Sequence, residues 1–298
     1  MGVGLNRTLA GYALALTAAA FFGIGGIVAK LGFRAGFEPS QLAELRIIFS
    51  FLLLLGVLVL FRRGDLAVRR TDLPLLALFG VVGIGGVQLS YYESIQRLPI
   101  GVALVIQYTA PLLLLVYARL TGKRVDPRLW LAAVLTIAGC ALVVGLYDET
   151  LRSVNAVGAL LAVLAAVIFA VYFILAERAL ARHRPWTALL YGLGFALIAW
   201  AFLRPVWLLP WDLVAANWPL VAGIAILTVT PFALTLTAVS LIPAARVGLA
   251  STFEPVVAAI AAFFILAEAL APLQLLGGAV VLAGIVIAQS LRVRAGGV

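Results

Sequence analysis

Charge is scarce in this chain. Of its 298 residues, 11% are Asp, Glu, Lys or Arg and 65% are hydrophobic, and histidine, cysteine and methionine occur once each. Each shortage excludes a class of function. A single cysteine, Cys140 in "TIAGCALVV", rules out an intramolecular disulfide and a thiolate metal cluster. The lone histidine, His183 in "ARHRPW", falls in a basic connector, where solvation is its expected state. The sequence has no His-Glu-x-x-His metal motif, no aspartate pair inside an apolar run and no Gly-x-x-x-x-Gly-Lys-Ser/Thr phosphate loop. A membrane enzyme would need a nucleophile with its base, a metal or an acid pair, and an ATP-driven pump would need a second chain. No cofactor and no metal are expected.

Apolar surface, by contrast, is abundant. Soluble domains are about half apolar and a quarter charged, whereas the mean hydropathy here is +1.18. A fold of this size cannot hide that much hydrocarbon, so a lipid bilayer must solvate most of its surface. Ten runs are long enough to cross roughly 30 Å of hydrocarbon: 9–32, 41–61, 73–95, 99–119, 128–146, 155–180, 186–207, 215–239, 243–266 and 272–291. The first is too long for a signal-peptide core and lacks a cleavage site, so it reads as a retained span. The expected fold is therefore an all-α membrane protein with ten transmembrane helices.

The net charge of +9 sits almost entirely in short connectors, which reports orientation and not a nucleic-acid partner. Arg7, Arg62, Arg63, Arg69, Arg70, Arg119, Lys123, Arg124, Arg128, Arg178, Arg182, Arg184, Arg246, Arg292 and Arg294 fall on the side that carries both termini. Lys30, Arg34, Arg46, Arg97, Arg152 and Arg204 fall on the other. By the positive-inside rule both termini are expected in the cytoplasm. The opposite connector "PVWLLPWDLVAANWP" carries Trp207, Trp211 and Trp218, as an interfacial aromatic belt would.

The chain also repeats itself. Pro99 and Pro243, and Pro111 and Pro255, are each 144 residues apart; Pro127 and Pro272, and Gly139 and Gly284, are 145 apart. Gly11 and Gly158, 147 apart, align "AAAFFGIGGIVAK" with "LAAVIFAVYFILAE". The halves, 1–150 and 151–298, then hold five spans each, and an odd number per repeat forces opposite orientations in the membrane. The connectors agree: "ARLTGKRVDPR" is heavily basic and its repeat mate "ILAEALAP" has no basic residue.

Ten spans as 5+5, a short connector ending in proline ("RLPIGVA", "SLIPAAR"), a mid-span proline ("YTAPLL", "TFEPVV") and a glycine-rich last span ("LLGGAVVLAG") resemble the drug/metabolite transporter superfamily, EamA type. Within it, the chain looks most like the YddG-like aromatic amino-acid exporters. The resemblance covers the full chain. It implies a bacterial inner-membrane exporter of amino acids or other small metabolites, working by alternating access around a central cavity. The chain departs from its own symmetry at one point, because the acid of "EP" occurs in the second repeat alone and the first has Ala110 there.

Candidate site residues follow from polarity at depth. Proline removes a helical hydrogen bond and frees the carbonyl four residues back, which is Gln107 for Pro111 and Ser251 for Pro255. In hydrocarbon such a carbonyl must face protein or a wet cavity, so Pro111 and Pro255 are expected to kink their spans and to line or gate a cavity. Glu254 lies mid-span, where an ionised carboxylate costs at least about 2.5 kcal/mol. A structural hydrogen bond, proton coupling, a contact to a substrate amine and a gating contact are all open to it. Arg246 is roughly 12 Å away along the helix, too far to pair. Gln88, Tyr91 and Tyr92 share one face of span three, Gln107 and Tyr108 precede the proline of span four, and Phe21, Phe22, Phe169 and Tyr172 are repeat-related. Span eight adds Thr228, Thr230, Phe232 and Thr235. This aromatic lining with little charge suits a neutral or zwitterionic small molecule. Lys30 and Glu177 are expected to snorkel, and Gly23, Gly26, Gly80, Gly83, Gly277 and Gly278 to mark close helix contacts. A channel would want a more continuously polar lining than these spans offer.

Overall fold

The computed structural model describes residues 2–147, 155–266 and 271–291. Arg152, the central "AEAL" of the "ILAEALAP" connector, and Arg292 and Arg294 lie outside these residues. Among the described residues, ten helical stretches are long and apolar enough to cross a membrane, and they form two inverted five-span repeats.

The first repeat begins with α1 (Gly2–Arg34) and α2 (Pro39–Phe61), separated by a turn in which Gly36 takes φ +102°. Span three is composite: α3 (Leu73–Leu78), a π-helical segment (Phe79–Gly86) and α4 (Val87–Ile95). Span four is split into α5 (Ile100–Gln107) and α6 (Ala110–Leu120), and α7 (Pro127–Val144) completes the repeat. Asp126 caps α7 by accepting from the Arg128 amide at 2.9 Å, and Gly145, at φ +82°, ends it. The second repeat runs through α8 (Ala156–Leu180), α9 (Pro185–Leu203), the short α10 (Trp211–Ala216), α11 (Trp218–Val239), the split pair α12 (Ala244–Ser251) and α13 (Glu254–Leu266), and α14 (Pro272–Ser290). Asn155 caps α8 through the Gly158 amide. Span seven ends at Leu203, short of the expected 207, because Pro205 and Pro210 break the chain before α10.

Spans four and nine are breaks, where kinks were expected. Each first half stops before its proline, and a two-residue turn (Tyr108–Thr109, Thr252–Phe253) precedes the second half. A threonine hydroxyl at each break donates back to a carbonyl three residues earlier, Thr109 to Ile106 at 2.7 Å and Thr252 to Leu249 at 2.6 Å. The Ile106 and Leu249 carbonyls also accept from the backbone amides of Thr109 and Thr252, so each hydroxyl finds its own partner inside the break and adds a second bond to a tight turn.

Glycines set the closest approaches. A β-carbon on Gly80, in the π-helical segment, would overlap the Gly192 carbonyl oxygen of α9. On Gly139 it would stand 2.7 Å from the Gly277 oxygen, and on Gly277 2.7 Å from the Gly139 oxygen, so α7 and α14 touch backbone to backbone. Gly26 has no neighbour in that direction and borders the central cavity, against expectation.

The face carrying the arginine-rich connectors is stapled shut. Asp65 pairs with Arg184 at 3.1 Å and Asp72 with Arg182 at 2.9 Å, tying the connector after α2 to the one after α8. His183 packs against Asp72 at 3.4 Å with 9% of its side chain exposed, so it is enclosed and not solvated. Arg246, counted among the connector charges, is fully buried inside the bundle instead. It donates to the Ala288 and Leu291 carbonyls at the end of α14, where a cation meets the negative pole of the helix. Its partners lie away from Glu254, in keeping with the distance expected between the two.

Candidate functional site

A cavity of about 360 Å³ occupies the centre of the bundle. It opens at the face where α1 and α4 end and α5 begins, with Lys30, Phe33, Ile95 and Ile100 at its mouth. It is closed towards the arginine-rich face, where Tyr12, Leu114, Leu236, Val239, Ile242 and Val247 pack into one buried core.

The two half-helix breaks place polar groups beside this cavity. Glu254 is the first residue of α13, where the backbone N–H groups of the first turn lack carbonyls of a preceding turn and the helix pole is positive. Its carboxylate accepts a hydrogen bond from the Tyr108 hydroxyl at 2.7 Å, and Tyr108 belongs to the turn at the other break. The repeat thus brings its two discontinuities into contact across the pseudo-axis. Gly23 lets α1 pass against this point, since a β-carbon there would lie 2.8 Å from the Glu254 carbonyl oxygen.

The second charged wall is Arg46 of α2, seven residues into the helix. Its Nε donates to Thr228 Oγ1 at 2.9 Å and its Nη1 to the Tyr92 hydroxyl at 3.2 Å. Thr228 is itself fixed by donating to the Ile224 carbonyl at 2.7 Å. Arg46 and Glu254 line the same cavity and no ion pair joins them, so a guanidinium and a carboxyl group face one space. The aromatic wall is continuous. Phe22 meets Phe232 edge to face, with centroids 5.3 Å apart, and Tyr172 stacks on Phe79 and Phe169 at 5.4 and 5.9 Å.

Gln88, Tyr91, Tyr92, Gln107, Tyr108, Phe169, Tyr172, Thr235, Ser251, Glu254 and Pro255 all border the cavity. Pro111 does not; its ring packs towards Gly248 of α12, because the break turns α6 away into the core. Phe22 and Phe232 line the space and Phe21 is outside it. The expectation of little charge is corrected, since Lys30, Arg46 and Glu254 all face the cavity. Arg46 was counted with the connector charges, and its one sequence signal is a cation inside the apolar run 41–61. Glu177 does not simply snorkel: its Oε1 accepts from the Ala244 amide at 2.8 Å.

The model of the EamA-like transporter family matches residues 9–145 and again 156–289. The chain belongs to this family. This EamA-like transporter is 27% identical to an uncharacterized transporter of Archaeoglobus fulgidus over 86% of its own length and 88% of that protein. It is 31% identical to the threonine/homoserine exporter RhtA of Escherichia coli K12, over 76% of its own length and 74% of the relative. A solved crystal structure superposes with a TM-score of 0.76 at 19% identity, covering 95% of this chain and 96% of that one, which establishes the shared fold. The EamA-like transporter is thus a multi-pass membrane protein that transports small molecules.

Proposed function

We propose that this transporter exports neutral amino acids by alternating access, recognising the zwitterionic head group between Arg46 and Glu254. The observation that carries the reading is the unpaired opposition of these two charges in one cavity. An isolated buried charge is expensive, and a ligand bearing both complements satisfies both. The guanidinium suits a carboxylate, which it can grip with parallel N–H donors. Glu254, steadied by Tyr108, suits the ammonium. Phe22, Phe169, Tyr172 and Phe232 then offer the side chain an aromatic surface, which favours aromatic and other large apolar side chains. The threonine and homoserine of the RhtA name share the same head group. In this reading the halves 1–150 and 151–298 are the moving units, both termini are in the cytoplasm of a bacterium, and the cavity opens outward across the inner membrane. Coupling to protons through Glu254 is the second role the site supports, because the carboxylate faces the substrate space.

The test is uptake into liposomes carrying the purified protein, with a panel of neutral amino acids, with and without an imposed pH gradient. Saturable uptake competed by other zwitterions, and not by the methyl ester or N-acetyl form of the same amino acid, is expected. Equal competition by all three forms would refute head-group recognition. Uptake that never saturates would mark a pore in place of a carrier.

A further inference from the structure

The inverted repeat allows the open face to be compared with the closed one, residue by residue. Lys30 of α1 and Glu177 of α8 hold matching positions, as do Ile100, just after Pro99, and Ala244, just after Pro243. Lys30 and Ile100 are both exposed and stand at the mouth of the cavity. Their mates are joined to each other: Glu177 Oε1 accepts a hydrogen bond from the Ala244 amide at 2.8 Å. That amide is the first of α12, one of the N–H groups for which a helix has no internal partner, and a carboxylate there also meets the positive helix pole.

The same asymmetry runs along the half-helices. Every residue from Ala244 to Ala250 of α12 is buried. In its mate α5, Val102, Ala103 and Val105 are buried, while Ile100, Leu104 and Gln107 border the cavity. Ile95 lines the cavity, and its mate Val239 is packed in the core at 7% exposure.

We propose that Glu177 is the latch of the closed face. Its cap on α12 holds that half-helix against α8, and the opposite-facing state forms when the bond breaks and α12 stands off α8 as α5 now stands off α1. This rests on the alternating-access reading and adds to it the contact that is broken.

The experiment removes the lone cysteine by Cys140→Ala and introduces Val239→Cys or Ile95→Cys, one at a time, in the full-length protein in liposomes. A membrane-impermeant maleimide is applied from each face. With Glu177 present, Val239→Cys should react slowly from the arginine-rich face and Ile95→Cys rapidly from the other. Glu177→Ala should raise the Val239→Cys rate about fivefold or more, the scale of one lost hydrogen bond, and lower the Ile95→Cys rate. Glu177→Gln, which keeps an acceptor oxygen, should stay near the parent. Glu177→Asp, one methylene shorter, should follow Glu177→Ala and serves if the alanine variant does not fold. Rates unchanged by both Glu177→Ala and Glu177→Asp would overturn the latch. If a transported amino acid shifts the two rates in the parent while the Glu177 variants do not, the latch alone fails. If transport proceeds and substrate shifts neither rate, alternating access fails with it.

Discussion

Replacing Arg46 by glutamine tests head-group recognition most directly. Thr228 and Tyr92 engage two of the guanidinium N–H donors, and the side chain has five, so donors are left to face the cavity. A hydrogen bond to a charged group contributes about 1.5–3 kcal/mol, which corresponds to roughly 10- to 150-fold in affinity at about 1.4 kcal/mol per decade. The local fold should hold, because Thr228 keeps its bond to the Ile224 carbonyl and glutamine fills much of the arginine stem. The assay is equilibrium competition on purified protein with three ligands: a transported amino acid, its carboxamide and the amine left by decarboxylation. The parent should prefer the amino acid, and Arg46→Gln should weaken that ligand by at least tenfold while leaving the other two nearly unchanged. Equal weakening of all three would make Arg46 a scaffold for α11 and refute the reasoning.

Glu254→Gln should do the converse, erasing discrimination between an amino acid and its N-acetyl derivative by about tenfold while the amide oxygen still accepts from Tyr108; any flux response to an imposed pH gradient that runs through Glu254 should vanish with it. Gly80→Ala should lower stability by about 1–3 kcal/mol, read as thermal unfolding in detergent, since its β-carbon would overlap the Gly192 carbonyl; Gly26→Ala, which meets nothing within 4 Å, is the matched control. Tyr172→Phe removes a buried hydroxyl that has no hydrogen-bond partner among the described residues, so unfolding should stay within about 0.5 kcal/mol of the parent or shift slightly upward.

The ten spans were readable because a bilayer asks each segment for length and apolarity, which a linear string displays without tertiary knowledge. The prolines were visible too, but their effect was not fully so. A single proline kinks a helix, whereas here each span stops and restarts at a two-residue turn, which a proline alone does not announce. The π-helical turn escaped notice because "FGVVGIGG" is apolar throughout and shows no face to count. Arg46 was hidden for a different reason. Charge near the end of a span reads as orientation, and only the packing of α2 on α11 turns this guanidinium inward. Arg246 deceived in the same way, and its carbonyl partners on α14 are 42 and 45 residues away.

The glycine seam between α7 and α14 fixes what kind of motion the two halves can share. Side chains between helices act as deformable spacers, whose rotamers change as neighbours slide past one another. At Gly139 and Gly277 there are none, and each backbone lies in the other's groove. A slip along the seam would drive carbonyl oxygens into Cα atoms within a fraction of a residue step. The fifth helices of the two repeats therefore behave as a keyed joint, free to roll by small angles and closed to shear. On the alternating-access reading the two halves would therefore roll about this joint, and the interrupted spans, each an eight-residue rod followed by a second rod, would take up the rest of the movement.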